Sequence, residues 1–346
     1  MSLDGADLLQ QPSLRDGIFD MPDNGTPLSL LGYHLTFDAE MSSPADMAKF
    51  SNVYSNGDHT LWMNHEAEWY GEYSASNPNN PFSFGNGALA ITASPVISGA
   101  NLPYTSGLLQ TAGKFSQNQG YFEMRAQVPN NPGFWSAFWQ LPNGGYYPEV
   151  DILEQPNNSG TNSQYWTHTD SPTDNSSGFY DTGVNLSGGF HTYGFMWTGN
   201  FIQYVFDGKY IGTQHDTPPM LAATQMYLLA NLAVGGPGSW PGTPSSGDKA
   251  TLQIDYIRAF SADPTVAAVA QQPISSPDHV DTTPVLLPAA VFDPAPIGTG
   301  PDSLTLKIAE SVLPGADAQF TVSVDGVQQG GVATVQANDA FGQTQT

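Results

Sequence analysis

Between Tyr147 and Gln155 the chain reads Tyr-Pro-Glu-Val-Asp-Ile-Leu-Glu-Gln, which puts Asp151 two residues after Glu149 and Glu154 three after Asp151. Carboxyls crowded on one surface suit acid–base chemistry, because each shifts its neighbour's proton affinity until one donates and another attacks. On a regular strand, residues two apart share a face, which would align Glu149 and Asp151 with Leu153 and turn Glu154 away. One inserted residue between Asp151 and Glu154, a β-bulge, returns Glu154 to the acid face and lets Val150, Ile152 and Leu153 pack beneath. Three acids on such a strand cost desolvation and repulsion, and folding alone gives no reason to keep them. Two plainer readings stand beside this one. The cluster could be a solvated edge, against which its apolar neighbours count. It could be a calcium site, against which the lack of Asp/Asn/Gly loop punctuation counts.

Composition narrows the partner. The 346 residues include 8 Lys+Arg and 32 Asp+Glu, a net charge of −24. Phosphate recognition needs cationic side chains, so nucleic acid and anionic membrane are excluded as partners, whereas a neutral polysaccharide is not. Cysteine is absent, which rules out disulfides and thiolate metal sites. No apolar run reaches membrane-spanning length. Residues 1–20 are polar and acidic without a basic start, unlike a Sec-type signal peptide.

The elements that must carry the acids read as short strands. Turn residues punctuate the chain every eight to twelve positions, the spacing of a sandwich or barrel. Strands are predicted at Tyr33–Phe37, Ala88–Ala93, Gly120–Val128, Phe134–Gln140, Val150–Glu154, Gln164–Thr169, His191–Trp197, Phe201–Phe206, Met226–Leu232 and Thr251–Phe260. Asp207-Gly208 is a tight hairpin turn, and Ser43–Phe50 a single helical turn. The expected organisation is an irregular leader (1–30), an all-β domain (31–262), a Pro-rich linker (263–302) and a partial β-rich segment (303–346). In that last segment Leu304–Ile308, Gln319–Val324 and Val332–Gln336 read as strands around an Asp325-Gly326 turn.

The residues flanking the acids carry a family resemblance. Upstream are Lys114–Ser116, Gly120–Pro129 and Gly133-Phe-Trp-Ser-Ala-Phe-Trp-Gln-Leu141. Downstream are Phe190–Trp197, Val205–Gly208, Leu229-Ala-Asn-Leu-Ala-Val-Gly-Gly236 and Gln253–Arg258. In this order, with the Glu-x-Asp-x-x-Glu motif between them, they resemble glycoside hydrolase family 16 from about residue 31 to 260. The resemblance implies a β-jelly-roll of two antiparallel sheets with an open concave cleft, and hydrolysis of a polysaccharide with retention of configuration. It implies Glu149 as nucleophile, Glu154 as general acid/base and Asp151 tuning both, and retaining chemistry does need two carboxyls roughly 5–5.5 Å apart.

Substrate-binding candidates are Trp135, Trp139, Trp166, Trp240, Gln164, His168 and Asn64. Aromatic rings suit the apolar faces of sugars. Trp135 and Trp139 lie four apart on one strand face, with packing into the core an equal alternative for Trp139. Gln164, Trp166 and His168 alternate on the next strand, while His191 and Trp197 read as packing residues. The chemistry requires no cofactor. The resemblance implies one structural calcium, with Glu40, the Gly87 carbonyl and Asp255 as ligands. The family's usual Pro between the two tryptophans is Ser136 here, and an acid before Trp197 is replaced by Met196. The bulged spacing argues against xyloglucan.

The segment 302–346 resembles the start of a calcium-dependent xylan-binding type module. The expectation is therefore a monomeric, secreted endo-β-glycanase, exported without a signal peptide, acting on a β-1,3- or mixed β-1,3/1,4-linked polysaccharide such as a bacterial exopolysaccharide. A lectin-like binder or a transglycosylase on the same scaffold is the alternative. Binding without turnover would mark the first, and product lengthening the second.

Overall fold

The computed structural model describes residues 24–270, apart from 75, 77–79, 97–100, 158–162 and 172–173, together with strands 318–324 and 327–335. By its internal contacts the chain divides into two units, residues 1–29 with 33–284, and 30–32 with 285–346.

In chain order the strands of the larger unit begin with β1 (His34–Ala39), β2 (Glu68–Tyr70), β3 (Phe82–Gly85), β4 (Ala88–Ala93), β5 (Tyr104–Ser106), β6 (Leu108–Gln110), β7 (Gly120–Gln127) and β8 (Phe134–Pro142). They continue with β9 (Glu149–Pro156), β10 (Gln164–Ser171), β11 (Asp174–Asp181), β12 (His191–Trp197), β13 (Phe201–Phe206), β14 (Lys209–Asp216), β15 (Met226–Val234) and β16 (Ala250–Ser261). One sheet runs β14-β13-β12-β7-β16-β4-β3, with β1 also paired to β16, and the other runs β11-β10-β9-β8-β15-β6. All pairs in both sheets are antiparallel, as expected for an all-β sandwich, and β2 and β5 form a small parallel pair.

Alternation builds the core. Phe122, Met124 and Ala126 of β7 and Tyr193, Phe195 and Trp197 of β12 turn inward to meet Phe134 and Phe138 of β8, Val150, Ile152 and Leu153 of β9, and Leu228, Ala230 and Leu232 of β15. Burying each large side chain of this kind contributes roughly 2 kcal/mol. The hairpin at Asp207-Gly208 forms as predicted. Both residues have positive φ, 44° and 71°, which a two-residue primed turn requires. The helical turn expected near Ser43 is a 3-10 turn, Pro44–Lys49.

Six strands of the larger unit were not anticipated from sequence: β2, β3, β5, β6, β11 and β14. Each is polar or short and gains its place from the neighbour it pairs with (β2 and β5 with each other, β3 with β4, β6 with β15, β11 with β10, β14 with β13) rather than from its own pattern. In the smaller unit, Ala318–Val324 and Val327–Val335 (β17 and β18) pair antiparallel, close to two of the three expected strands. The leader before residue 24, the linker beyond 270, Leu304–Ile308 and Asp325-Gly326 lie outside the described residues.

The outer face of the larger sheet bears on the expected calcium. The Glu40 Oε1 accepts from the Arg258 Nη2 (2.6 Å) and Nε (3.1 Å). Asp255 accepts from the Arg125 Nη1 at 2.5 Å, and Gly87 sits in the β3–β4 turn. The two carboxyls are thus each held by a separate buried guanidinium. Hard-cation sites gather several uncommitted oxygens around one point, so this donor set does not fit a calcium ion. Among the described residues no group of three or more His, Asp or Glu converges as a metal site.

Candidate active site

Strand β9 carries the bulge read from the spacing. Against β8, Glu154 pairs with Ala137 and Leu153 with Phe138, then the register slips and Asp151 pairs with Trp139. Against β10, Glu154 faces Trp166, Asp151 faces His168 and Glu149 faces Asp170. Five residues of β9 therefore span four of β10, an even number, so Glu149, Asp151 and Glu154 point to the same side. Ile152 and Leu153 both turn into the core, as the extra residue allows.

The acid face looks away from the inter-sheet core. Ala137, Trp139 and Leu141 of β8 pack there with Tyr54, Tyr70, Leu108, Tyr227 and Leu229. Trp139, only 6% exposed, is part of this floor, and its Nε1 donates to the Asn231 Oδ1 at 2.8 Å. Trp139 is thus core-packed, the alternative given for it above, in a cluster on the acid side of β8 rather than between the sheets.

Beside Glu154 stands a wall of rings. Trp240 meets Trp135 edge-on at 5.3 Å and Trp166 at 5.8 Å, and Trp166 lies 4.8 Å from Phe179. Trp240 and Trp166 remain 42% and 36% exposed, so their faces are open to a ligand. Glycines make this wall possible. A Cβ on Gly235 would fall 1.9 Å from the Gly242 carbonyl oxygen, and one on Gly133 would strike Pro244, so the Trp240 loop rests directly on bare backbone.

The remaining expected binding residues divide. His168 shares a hydrogen bond with Asp151, Nδ1 to Oδ2 3.2 Å. The Gln164 Nε2 donates to Asp181 of the neighbouring strand (2.9 Å). Asn64 lies in a 3-10 turn and donates to Glu66 at 3.3 Å. His191, bonded to Asp207, and the buried Trp197 are packing residues, as expected.

Burial and mutual repulsion shape the proton affinities. Burial pushes Glu149 up to about 7, with His168 lowering and Asp170 raising it. Burial, then the charges of Glu149 and Asp170, hold Asp151 well above the carboxylate range. Glu154 is also held well above it, first by burial and then by Asp151. A carboxyl that keeps its proton at neutral pH can donate it, and one near 7 can ionise and attack. Asp170 was missed from sequence. The available signal was its place in the Gln164–Trp166–His168 alternation, two residues beyond His168.

A family model described as "Glycosyl hydrolases family 16" matches residues 47–258. The endo-1,3-1,4-beta-glycanase ExsH of Rhizobium meliloti (strain 1021) is 40% identical over 216 residues, covering 59% of this chain and 45% of that protein. The endo-1,3-1,4-beta-glycanase EglC of the same organism is 37% identical over 214 residues, with the same coverage. The chain thus spans less than half the length of these relatives. The crystal structure of SCLam, a non-specific endo-beta-1,3(4)-glucanase from family GH16, superposes with a TM-score of 0.59 at 23% identity, over 69% of this chain and 96% of that one.

Proposed function

The chain belongs to glycosyl hydrolase family 16, and on that premise we propose that it is a retaining endo-β-glycanase cutting a β-1,3- or mixed β-1,3/1,4-linked polysaccharide. The observation that carries the reading is the bulged strand that sets Glu149, Asp151 and Glu154 on one face beside the rings of Trp135, Trp166 and Trp240. Glu149 attacks the anomeric carbon while Glu154 gives its proton to the departing glycosidic oxygen, leaving a covalent glycosyl-enzyme. Glu154, now ionised, takes a proton from water, which attacks the same carbon and frees the sugar with its configuration retained. Asp151, held by His168, keeps a third carboxyl between the two and raises Glu154.

Further support comes from the names of the two R. meliloti relatives, endo-1,3-1,4-beta-glycanases both. The charge of −24 leaves a neutral or weakly charged polymer as the natural partner. We extend the reading to a monomer working outside the cell on a bacterial exopolysaccharide, where such polymers occur. Among the described residues no helix is long and apolar enough to cross a membrane.

The test is a panel of β-1,3-, β-1,4- and mixed-linked glucans assayed by reducing ends and product size, with Glu149→Gln and Glu154→Gln alongside. Each substitution should cost about a hundredfold or more in kcat, and early products should be β anomers by NMR. Undiminished turnover by either variant overturns the assignment. Binding without turnover across the panel favours a lectin-like protein.

A further inference from the structure

Behind the acid face lies a second carboxyl pair that the proposed chemistry does not use. Glu66 and Glu68 are 6% and 0% exposed, at the start of β2 and flanked by the Tyr54 and Tyr70 rings, 5.8 Å apart. Two adjacent buried carboxylates cannot both be charged at modest cost. The hydrogen bonds say which one ionises. Glu66 accepts on both oxygens: Oε2 from the Leu61 amide (3.1 Å) and the Tyr70 hydroxyl (3.4 Å), Oε1 from the Asn64 Nδ2 (3.3 Å). Glu68 accepts from the Val234 amide through Oε2 at 2.7 Å. Its buried Oε1 makes no hydrogen bond of ordinary geometry, although the Tyr70 hydroxyl also acts on Glu68, and it is satisfied if it carries a proton and donates to Glu66. Their mutual hydrogen bond lowers Glu66 and raises Glu68 from an already burial-raised starting point, in agreement.

From this pair a directional chain of hydrogen bonds runs to the floor. The Trp139 Nε1 donates to the Asn231 Oδ1 (2.8 Å), the Asn231 Nδ2 donates to the Tyr70 hydroxyl (2.9 Å), and Tyr70 donates to Glu66. Every donor points the same way, so the chain needs a pure acceptor at its end. Trp139 is the register partner of Asp151. The Glu66 carboxyl ties the 61–66 turn through Leu61 and Asn64, and backbone contacts join that turn to the start of the Trp240 loop: Glu66 bridges to Gly235, and the Gly236 amide donates to the His65 carbonyl at 2.9 Å.

We propose that Glu66 and Glu68 form a proton-sharing acid pair that positions Trp139 beside Asp151 on the acid face and the 61–66 loop at the rim. Both are positioning residues, and the role rests on the glycanase reading only where it touches turnover. The asymmetry of the pair gives the test. In Glu68→Gln the amide donates to Glu66 and the carbonyl accepts from Val234, reproducing a protonated Glu68. In Glu66→Gln one acceptor becomes a donor facing donors already present. Tyr70→Phe cuts the chain while leaving both carboxyls in place.

The readout is the 15N-indole spectrum of the full chain, with the Trp139 resonance assigned through Trp139→Phe. Glu66→Gln and Tyr70→Phe should move that resonance and lower kcat/KM by about tenfold to a hundredfold, while Glu68→Gln leaves the resonance in place. An indole signal unmoved in both Glu66→Gln and Tyr70→Phe, or moved equally by Glu68→Gln, sinks the proposal. If Glu66→Gln does not fold, Tyr70→Phe and Glu68→Gln still decide. The spectrum is recorded without substrate, so failure to cut any glucan would count against the glycanase reading and leave this result standing.

Discussion

Asp170 on β10 is the register partner of Glu149 on β9, with its Oδ1 accepting from the Asn175 Nδ2 at 3.0 Å. A carboxyl fixed across the strand from the proposed nucleophile opposes ionisation of Glu149, while His168 favours it. The acidic limb of kcat/KM reports Glu149 in the free protein and should lie near about 7. Removing the like charge in Asp170→Asn should move that limb to lower pH by about half a unit. An unmoved limb, or one moved upward, would show that Asp170 does not tune the site.

Glu149 should also weigh on stability. Its folded value is raised from 4.5 to about 7, so between those pH values the native state holds more protons than the unfolded chain, and stability falls as pH rises through that window. Glu149→Gln mimics the protonated form. The variant should exceed the parent by about 2–3 kcal/mol at pH 8, with the gain shrinking below pH 7 and vanishing below about 4. Denaturant melts at three pH values measure this, and a gain independent of pH contradicts it.

The ring wall predicts a split between binding and chemistry. Trp240 touches Trp135 and Trp166 but is not a register neighbour of Glu149 or Asp151. Contacts made equally in ground and transition states set KM. Trp240→Ala should raise KM on a glucan oligosaccharide by about tenfold, the worth of roughly one stacked ring, with kcat within about twofold. A fall in kcat at constant KM would instead place Trp240 in the chemistry.

On the outer face, Arg258 sets a positive charge beside Glu40, one of the expected calcium ligands. Its guanidinium holds Glu40 and lies 4.0 Å over the Tyr256 ring. Arg258→Met strands buried acid and should cost about 3 kcal/mol, whereas adding calcium or a chelator to the parent should leave Tm unchanged. A Tm that climbs with calcium would restore Glu40, Gly87 and Asp255 as ligands.

Much of this was legible beforehand because it is local. The two-then-three spacing of Glu149, Asp151 and Glu154 demanded a bulge, since period-two alternation left no other way to unite them, and the register supplies it. Strands with alternating or continuous apolar runs, such as β4, β12 and β13, were found at their observed limits. By contrast β11, reading Asp-Asn-Ser-Ser-Gly-Phe-Tyr-Asp, has no pattern of its own and is a strand because β10 offers it a free edge.

The sequence by itself determined the fold class, the core alternation and the identity of the three acids, because strand periodicity, turn chemistry and the cost of buried charge act over a few residues. Tertiary structure alone decided their company. Asp170 meets Glu149, Trp139 joins Asn231 and Tyr70, Glu68 takes the Val234 amide, and Arg258 takes Glu40 across 218 positions. The reason is physical: burial and hydrogen-bond partners set proton affinity and cation binding, and both depend on which distant strands pair.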